Sequence, residues 1–227
     1  MGFEDKLRTL CDRTQPAASQ LLNQEIHDIA SLAADAIKIG KWDPPSIKTE
    51  DRLSEAFRNV RFCAEAADAA ESINRYLLTA ANGRVCDLKI SGRHLAEIQR
   101  DILNLFDSKQ APRRGFVYVA WTDRPTSYSY VGKASKINRL NLTTHGKLSH
   151  AVAHETTVSL LFPSQSEDAI LRGIEASVIR LIEYDTGQLP DLNEKRETVP
   201  FASASDQLNR LGLFFDWLAS SLDPYHT

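Results

Sequence analysis

The chain has 227 residues, of which 42% are hydrophobic and 25% are charged, and its formal net charge is -3. These values are ordinary for a globular protein, and no apolar run is long enough to cross a bilayer, so we expect no membrane-spanning segment. The three cysteines, Cys11, Cys63 and Cys86, are far apart and form no CxxC pair, which predicts reduced thiols in a cytoplasmic protein rather than disulfides or zinc ligands.

The first half of the chain predicts helices. Apolar residues recur every three or four positions from Gln15 to Ile39, and Pro16 suits the first helical turn. The same periodicity predicts a second helix from about Thr49 to Ala81, after a segment that contains two prolines. A third helix is predicted over residues 92–106, with Ser91 as its N-cap. We expect these three helices to form a small bundle.

The polar segment SKQAPRRG, residues 108–115, is the best candidate for a domain boundary. It contains a proline and a glycine, and the sequence pattern changes after it. We therefore predict a helical domain over residues 1–110 and a second domain over residues 111–227. The helical domain has no zinc-finger spacing and no obvious helix-turn-helix, so DNA binding, dimerisation and binding of a protein partner all stay open for it.

Two strands and a turn open the second domain. The run FVYVAW, residues 116–121, is rich in β-branched and aromatic residues, and YSYVG, residues 128–132, is a second, shorter strand. The intervening TDRPTS is typical of a turn, so the strands are predicted to form an antiparallel hairpin. Because side chains alternate between the faces of a strand, two sets of residues are each expected to share a face: Phe116 with Tyr118 and Ala120, and Tyr128 with Tyr130 and Gly132.

The rest of the second domain adds one strand and three helices. A helix is predicted near residues 135–142, and TTVSLLF, residues 156–162, is predicted to be a third strand. Either Ser164 or Ser166 is placed to cap a long helix, and a last amphipathic helix covers about residues 203–222. Helices and strands in this order predict an α+β fold.

Positive charge is concentrated in the middle of the chain. Residues 111–160 hold 7 Lys and Arg against 2 Asp and Glu, a net charge of +5, whereas the remaining residues sum to -8. Local positive charge is what a phosphate-binding surface needs. A solvated face with a chance excess of basic residues is the alternative, since charge runs are usually of that kind.

One carboxylate, Glu175, lies within an apolar stripe of the long helix. Leu171, Val178 and Ile182 share that stripe at helical spacing. A carboxylate facing a core is costly unless it is paired or bound to a cation. Glu175 therefore either lies at the edge of the stripe, pairs with an arginine, or binds Mg²⁺, which accepts a single carboxylate and keeps most of its water.

Tyr118 and Tyr130 lie on the adjoining strands of the predicted hairpin, roughly opposite each other. Their hydroxyl groups can converge on one surface of the sheet, although most strand tyrosines serve packing alone. Lys133, Lys136 and Arg139 follow directly. Because an arginine contacts phosphate through two hydrogen bonds and stabilises developing charge, this order of residues is typical of a site that acts on a phosphate diester.

The run FVY, a turn, YVGKA, then Arg139, a helical Glu175 and Asn193 within LPDLN resemble the GIY-YIG nuclease family. The resemblance covers roughly residues 114–195, and it implies a small three-stranded, mainly antiparallel sheet flanked by helices. Phe116 and Val117 stand where the family's name motif has Gly and Ile, and both suit a buried strand.

The resemblance also implies a role for each of these residues. Tyr118 would position the attacking water or the phosphate, and Tyr130 would be the general base or orient the water. Arg139 would bind the scissile phosphate, Glu175 would hold one Mg²⁺ or Mn²⁺ ion, and Asn193 would anchor the neighbouring loop by hydrogen bonds.

Several basic residues complete the predicted site. An unperturbed tyrosine titrates near pH 10, so a cation is needed to make Tyr130 a base. Either His145 or Lys133 is a candidate for that assistance. Lys136 and Lys147 are assigned to substrate binding, together with Arg139 and Asn193.

The function implied by the resemblance is a divalent-metal-dependent endonuclease that hydrolyses DNA phosphodiester bonds. Restriction or anti-phage defence is the role that suits a short nuclease with an unfamiliar helical extension, by analogy of fold alone. One active site per chain favours a homodimer for cutting both strands, and the helical domain offers a surface for a protein partner. The alternative is a catalytically inactive module of the same fold that binds nucleic acid or protein.

Overall fold

The computed structural model describes residues 2–39, 47–79, 85–90, 95–107, 115–123, 126–135, 147, 157–164 and 167–194. The predicted α+β class is confirmed within these residues. In chain order the helices and strands are α1 (Phe3–Ile39), α2 (Ile47–Thr79), β1 (Val85–Lys89), α3 (Leu95–Asp107), β2 (Phe116–Asp123), β3 (Thr126–Ala134), β4 (Thr157–Leu161) and α4 (Asp168–Thr186). None of the helices described has the length and apolar character that crossing a membrane requires.

The chain forms two compact units, and the division does not fall at residue 110. The first unit combines Met1–Asp12 with Ala69–Val199, and the second combines Arg13–Asp68 with Pro200–Thr227. Part of α3 belongs to the core of the sheet in the first unit, where Ile98 is buried. The first unit thus holds α3 together with residues 3–12 of α1 and 69–79 of α2, and a separate bundle of the three helices is not confirmed.

Among the residues that the structure describes, the sheet has four antiparallel strands in the order β1-β4-β2-β3, not the three that the family resemblance implies. The additional strand, β1, pairs with β4 and was not predicted. Its residues alternate: Cys86 and Leu88 pack against the core, whereas Asp87 and Lys89 are exposed. This alternation over five residues is the signal of a half-buried edge strand, but the run is short and its charges obscure it.

Strand β2 is the inner strand of the predicted hairpin, and its residues from Phe116 to Trp121 are all buried. Residues paired across the sheet share a face, so the register defines two faces. The tyrosine face carries Phe116, Tyr118, Ala120, Tyr130, Gly132, Ala134, Val158 and Leu160; the tryptophan face carries Val117, Val119, Trp121, Val131, Lys133, Ser159 and Leu161.

The predicted common face of Tyr128, Tyr130 and Gly132 is wrong for Tyr128. The register of β2 and β3 shifts between Ala120 and Trp121, so that Ala120 pairs with Tyr130 whereas Trp121 pairs with Tyr128. One extra residue in β3 is thereby accommodated as a bulge. Tyr128 consequently lies on the tryptophan face.

The first turns of α1 cover the tryptophan face. The Phe3 amide donates to Asp87 Oδ2 at 2.9 Å, and this carboxylate also suits the positive end of the helix dipole. Asp87 Oδ1 accepts from Ser159 Oγ at 2.6 Å, and Ser159 Oγ accepts from Trp121 Nε1 at 2.7 Å. The fully buried Phe3 ring lies 5.7 Å from the ring of Trp121. A hydrogen-bonded chain therefore joins the helix to three strands.

This docking explains why the predicted start of the first helix was wrong. The helix begins at Phe3, and Pro16 lies inside it rather than in its first turn. Lys6 adds to the attachment, because its Nζ lies 3.0 Å from Asp123 Oδ1 and 4.8 Å from the centre of the Trp121 ring. Tertiary contacts of this kind help to offset the cost of a proline in a helix interior, about 3 kcal/mol.

The long helix predicted before the DTGQLPDLNEK segment is confirmed as α4, but its cap is different. The N-cap is Glu167, which makes no side-chain capping hydrogen bond, so neither Ser164 nor Ser166 caps the helix. The helix ends at Thr186 and is capped by Gly187, whose φ of 75° is the left-handed conformation that glycine adopts most readily. Predicted helices near residues 135–142 and 203–222 lie outside the described residues.

In the second unit, α1 and α2 are neighbours. The Asn59 side chain donates to Glu25 Oε1 at 3.2 Å. Each helix contributes buried apolar residues at helical spacing, among them Leu22 and Ile29 on α1 and Val60 and Ala64 on α2. The part of the predicted bundle that the structure shows here is this helix pair.

All three cysteines are free, as predicted, with Cys11 and Cys63 buried and Cys86 partly buried. Burial, the main cause, and the neighbouring Asp12 carboxylate, a smaller one, together raise the pKa of the Cys11 thiol to about 12. The thiolate, which is the reactive form, is therefore suppressed at neutral pH.

Candidate functional site

Tyr118 and Tyr130 lie side by side on the tyrosine face. Their ring centres are 5.9 Å apart, and Tyr118 pairs in register with Gly132. The hydroxyl end of Tyr118 lies directly over Gly132, because a Cβ atom at that position would be 2.6 Å from Tyr118 Oη and 3.0 Å from Tyr130 Cε1. Gly132 thus leaves the space in which the two rings lie together.

Tyr118 is the deeper of the two rings. It is 3% exposed and belongs to the core cluster of the tyrosine face, where its ring centre lies 6.2 Å from that of Phe116. Tyr130 is only partly buried and packs against the edge of the same cluster. The more accessible hydroxyl therefore belongs to Tyr130, the residue to which the resemblance assigns the base.

Lys147 is the cation that the structure places beside Tyr130. Its Nζ lies 5.9 Å from the centre of the Tyr130 ring, within the range of a cation–π contact. The same Nζ donates to Leu192 O at 3.0 Å and lies 3.0 Å from Glu194 Oε1. An ammonium group in this position favours negative charge on a nearby oxygen.

Asn193 holds a chain segment against the outer side of β3. Its Oδ1 accepts from the Val131 amide at 2.9 Å, and its Nδ2 donates to Val131 O, also at 2.9 Å. The backbone of the segment continues this pairing, since the amides of Asp191 and Leu192 donate to Tyr128 O and Ser129 O. We call residues 190–194 the edge segment, because it covers the edge of β3.

Lys133 lies on the opposite face of the sheet from Tyr130. It pairs in register with Val117, and its Nζ binds Asp168 Oδ1 in the first turn of α4. Arg172 holds the other oxygen of the same carboxylate at 2.8 Å. This geometry does not favour the predicted assistance of Tyr130 by Lys133, and it joins the start of α4 to the tryptophan face.

The hydrogen bond from Lys133 lowers the pKa of Asp168 below its ordinary value of 3.8, with smaller contributions from the positive charges of Lys133 and Arg172. Since the folded-state pKa is depressed, the stabilisation is present above the ordinary value and is lost as the pH falls through the folded pKa. We expect Asp168→Asn to be less stable than the wild type at pH 7, and this difference to shrink as the pH is lowered below 3.8. Urea unfolding over a series of pH values measures the difference, and a difference that does not change with pH would contradict the expectation.

Glu175 is buried in α4, with 6% exposure. Within the described part of the chain, no three or more His, Cys, Asp and Glu residues are grouped so that they could hold a metal ion. A carboxylate is nonetheless the type of ligand that Mg²⁺ takes, and one or two carboxylates are enough when water and substrate phosphates supply the other oxygens. The donor chemistry of Glu175 therefore fits the divalent ion that the resemblance implies.

Three predicted site residues, Arg139, Lys136 and His145, lie outside the described residues. Of the others, the structure brings together Tyr118, Tyr130, Lys147 and Asn193. The role of Glu194 as the ion-pair partner of Lys147 was missed. The two residues are 47 positions apart, and no pattern in the sequence links them.

Comparisons of the chain with family models, with curated proteins and with solved structures find no match.

Proposed function

We propose that this protein is a divalent-metal-dependent endonuclease that hydrolyses DNA phosphodiester bonds. The observation that carries the proposal is the tyrosine pair: Tyr118 and Tyr130 lie together over Gly132, and the Lys147 ammonium lies beside the more accessible ring. Paired hydroxyl groups next to a fixed cation are suited to orienting a water molecule against a phosphate.

In the proposed reaction, the Tyr130 hydroxyl group orients the attacking water, and the Lys147 ammonium group stabilises the negative charge that develops on the phosphate oxygens. The water oxygen bonds to phosphorus while one ester P–O bond breaks, and the proton from water passes to the leaving alkoxide. Tyr118, fixed by its burial, holds the Tyr130 ring in place. The edge segment keeps Lys147 in position through Leu192 O.

Glu175 is the residue that would hold the metal ion in this proposal. A bound Mg²⁺ or Mn²⁺ would stabilise charge on the phosphate oxygens. The proposal requires Glu175 and Tyr130 to reach the same phosphate. The proposal includes a role in restriction or anti-phage defence and assembly as a homodimer.

The test is cleavage of defined DNA substrates in Mg²⁺, comparing the wild type with Glu175→Gln. The glutamine keeps the shape of the side chain but removes the charge, so we expect the cleavage rate to fall by at least about 100-fold. Glu167→Gln, an exposed position next to the same helix, is the control and is expected to cleave at the wild-type rate.

Circular dichroism and thermal unfolding of both variants establish that any lost activity is not lost folding. The duplex, single-stranded and branched substrates should be supplied in parallel, because the site does not favour one of them. Wild type that cuts none of these substrates, or Glu175→Gln that cuts as fast as wild type, contradicts the proposal.

A second candidate is a non-catalytic module that binds nucleic acid through the same face. Two observations favour it: Tyr118 is almost fully buried, and α4, which carries Glu175, is joined at its first turn to the tryptophan face through Lys133. Such a module binds duplex DNA with or without Mg²⁺ and releases no cleaved product. The cleavage assay, together with binding measured in EDTA, separates the two candidates.

A further inference from the structure

The ion pair between Lys147 and Glu194 lies beside the tyrosine pair, and its two members are not equally fixed. The Lys147 side chain is 40% exposed, whereas that of Glu194 is 83% exposed. Lys147 is also held by Leu192 O, in the edge segment that Asn193 attaches to β3. The ammonium group therefore keeps a second, independent attachment if the carboxylate moves away.

An exchange of partners at Lys147 costs little. A solvent-exposed ion pair contributes only about 0.2–1 kcal/mol, since water screens both charges. A lysine ammonium has three N–H donors, and Leu192 O and Glu194 accept two of them. Within the part of the chain that the structure describes, the third has no acceptor.

We propose that Glu194 is a built-in competitor of the substrate: Lys147 releases the Glu194 carboxylate when it takes a backbone phosphate of nucleic acid next to Tyr130. The inference rests on the proposed function, because it places the substrate phosphate at the tyrosine pair. Glu194 lowers the affinity for nucleic acid in two ways, by occupying Lys147 and by repelling the arriving phosphate. Because of this competition, ligands with little negative charge do not displace the Glu194 carboxylate from Lys147.

The experiment compares the binding of a fluorescently labelled DNA duplex by the full chain and by Glu194→Gln. Binding is measured by anisotropy in EDTA, so that it does not depend on cleavage. Glu194→Gln is expected to bind about two- to five-fold more tightly than the wild type, the range that corresponds to the loss of one exposed ion pair.

Asp191→Asn is the matched control. It removes the same charge from the same segment, three residues earlier, and the Asp191 side chain is exposed and forms no ion pair with another described residue. Its effect on binding measures the general consequence of removing one negative charge. The gain in DNA affinity from Glu194→Gln must exceed the gain from Asp191→Asn, because, of these two carboxylates, only Glu194 binds Lys147.

A Lys147→Met background tests whether Glu194 acts through Lys147. There the gain from Glu194→Gln should fall to the size of the gain from Asp191→Asn. Equal gains from Glu194→Gln and Asp191→Asn in the wild-type background overturn the inference, as does a full gain that persists in Lys147→Met. If the wild type binds no nucleic acid, the proposed function fails and the inference with it, whereas failure of the variant comparison alone leaves the proposed function standing.

Discussion

Gly132→Ala is expected to lower the free energy of unfolding by about 1–3 kcal/mol, the usual cost of overpacking a filled core. The added Cβ would lie 2.6 Å from Tyr118 Oη and 2.7 Å from Tyr118 Cζ. The tyrosine cannot turn away easily, because its ring is packed between those of Phe116 and Tyr130. Urea unfolding measures the loss, and DNA cleavage should fall as well, since the two rings no longer lie as they do in the wild type.

The control for this substitution is Gly173→Ala, which makes the same chemical change on α4. Apart from its chain neighbours and the nearby backbone of its own helix, no atom lies within 4 Å of the Cβ that it adds, and alanine is favoured over glycine inside a helix by about 0.8–1.0 kcal/mol. Gly173→Ala should therefore raise the free energy of unfolding. Opposite signs for the two variants are the expected result, and a stabilised Gly132→Ala would show that the tyrosine pair is not packed as described.

A double variant shows whether Tyr118 causes the loss. Replacing Tyr118 by leucine shortens the side chain over position 132 and removes Oη and Cζ, the two atoms that the new Cβ would approach most closely. In the Tyr118→Leu background, Gly132→Ala should cost less than in the wild type, with a coupling energy of about 0.5–3 kcal/mol. Equal costs in the two backgrounds would mean that the strain lies elsewhere.

The parts of the fold that the sequence predicts are those with strong local patterns. The β2–β3 hairpin has β-branched and aromatic runs around a turn, and α2 and α4 have long apolar periodicity. The start of α1 is different, because it depends on the bond between the Phe3 amide and Asp87, which are 84 positions apart. Proline is common in the first turn of a helix, so Pro16 indicates a start near residue 15, whereas contacts with the sheet and the local ion pair between Arg8 and Glu4 stabilise the earlier start.

The same distinction between local sequence patterns and contacts of distant residues applies to the candidate site. Tyr118 and Tyr130 can be placed together from the alternation of side chains along two adjoining strands. The bulge that moves Tyr128 to the tryptophan face cannot be predicted in this way, because one extra residue in a strand leaves no mark in the alternation of apolar and polar residues. Lys133 follows the YVG motif that carries the family resemblance and is close to Tyr130 in sequence, but three positions along a strand place it on the other face. Proximity in sequence is a poor guide to which cation serves Tyr130.

Asn193→Ala is expected to cost about 1–3 kcal/mol, because it leaves the Val131 amide and carbonyl without their partner. Both groups bond to the Asn193 side chain at 2.9 Å. The effect should be concentrated in the edge segment and the strand beside it. Amide hydrogen exchange should speed up at Val131, and at Asp191 and Leu192, whose amides bond to β3.

Asn193→Asp separates the two hydrogen bonds of this side chain. The carboxylate still accepts from the Val131 amide, but it has no hydrogen for the Val131 carbonyl and repels it. The aspartate variant should therefore be at least as unstable as the alanine variant at pH 7, although it is closer in shape to the wild type. A mere loss of packing would predict the reverse order.

Gln188→Ala provides the control for both Asn193 variants, because Gln188 is exposed and its described hydrogen bonds use its backbone atoms. Its stability and its exchange rates should match those of the wild type. Since Lys147 is held through Leu192 O, loosening the edge segment should also reduce DNA binding in Asn193→Ala while leaving Gln188→Ala unaffected. Unchanged exchange at Val131, Asp191 and Leu192 in Asn193→Ala would show that the backbone of the edge segment holds β3 without the side chain, and that Lys147 is positioned independently of Asn193.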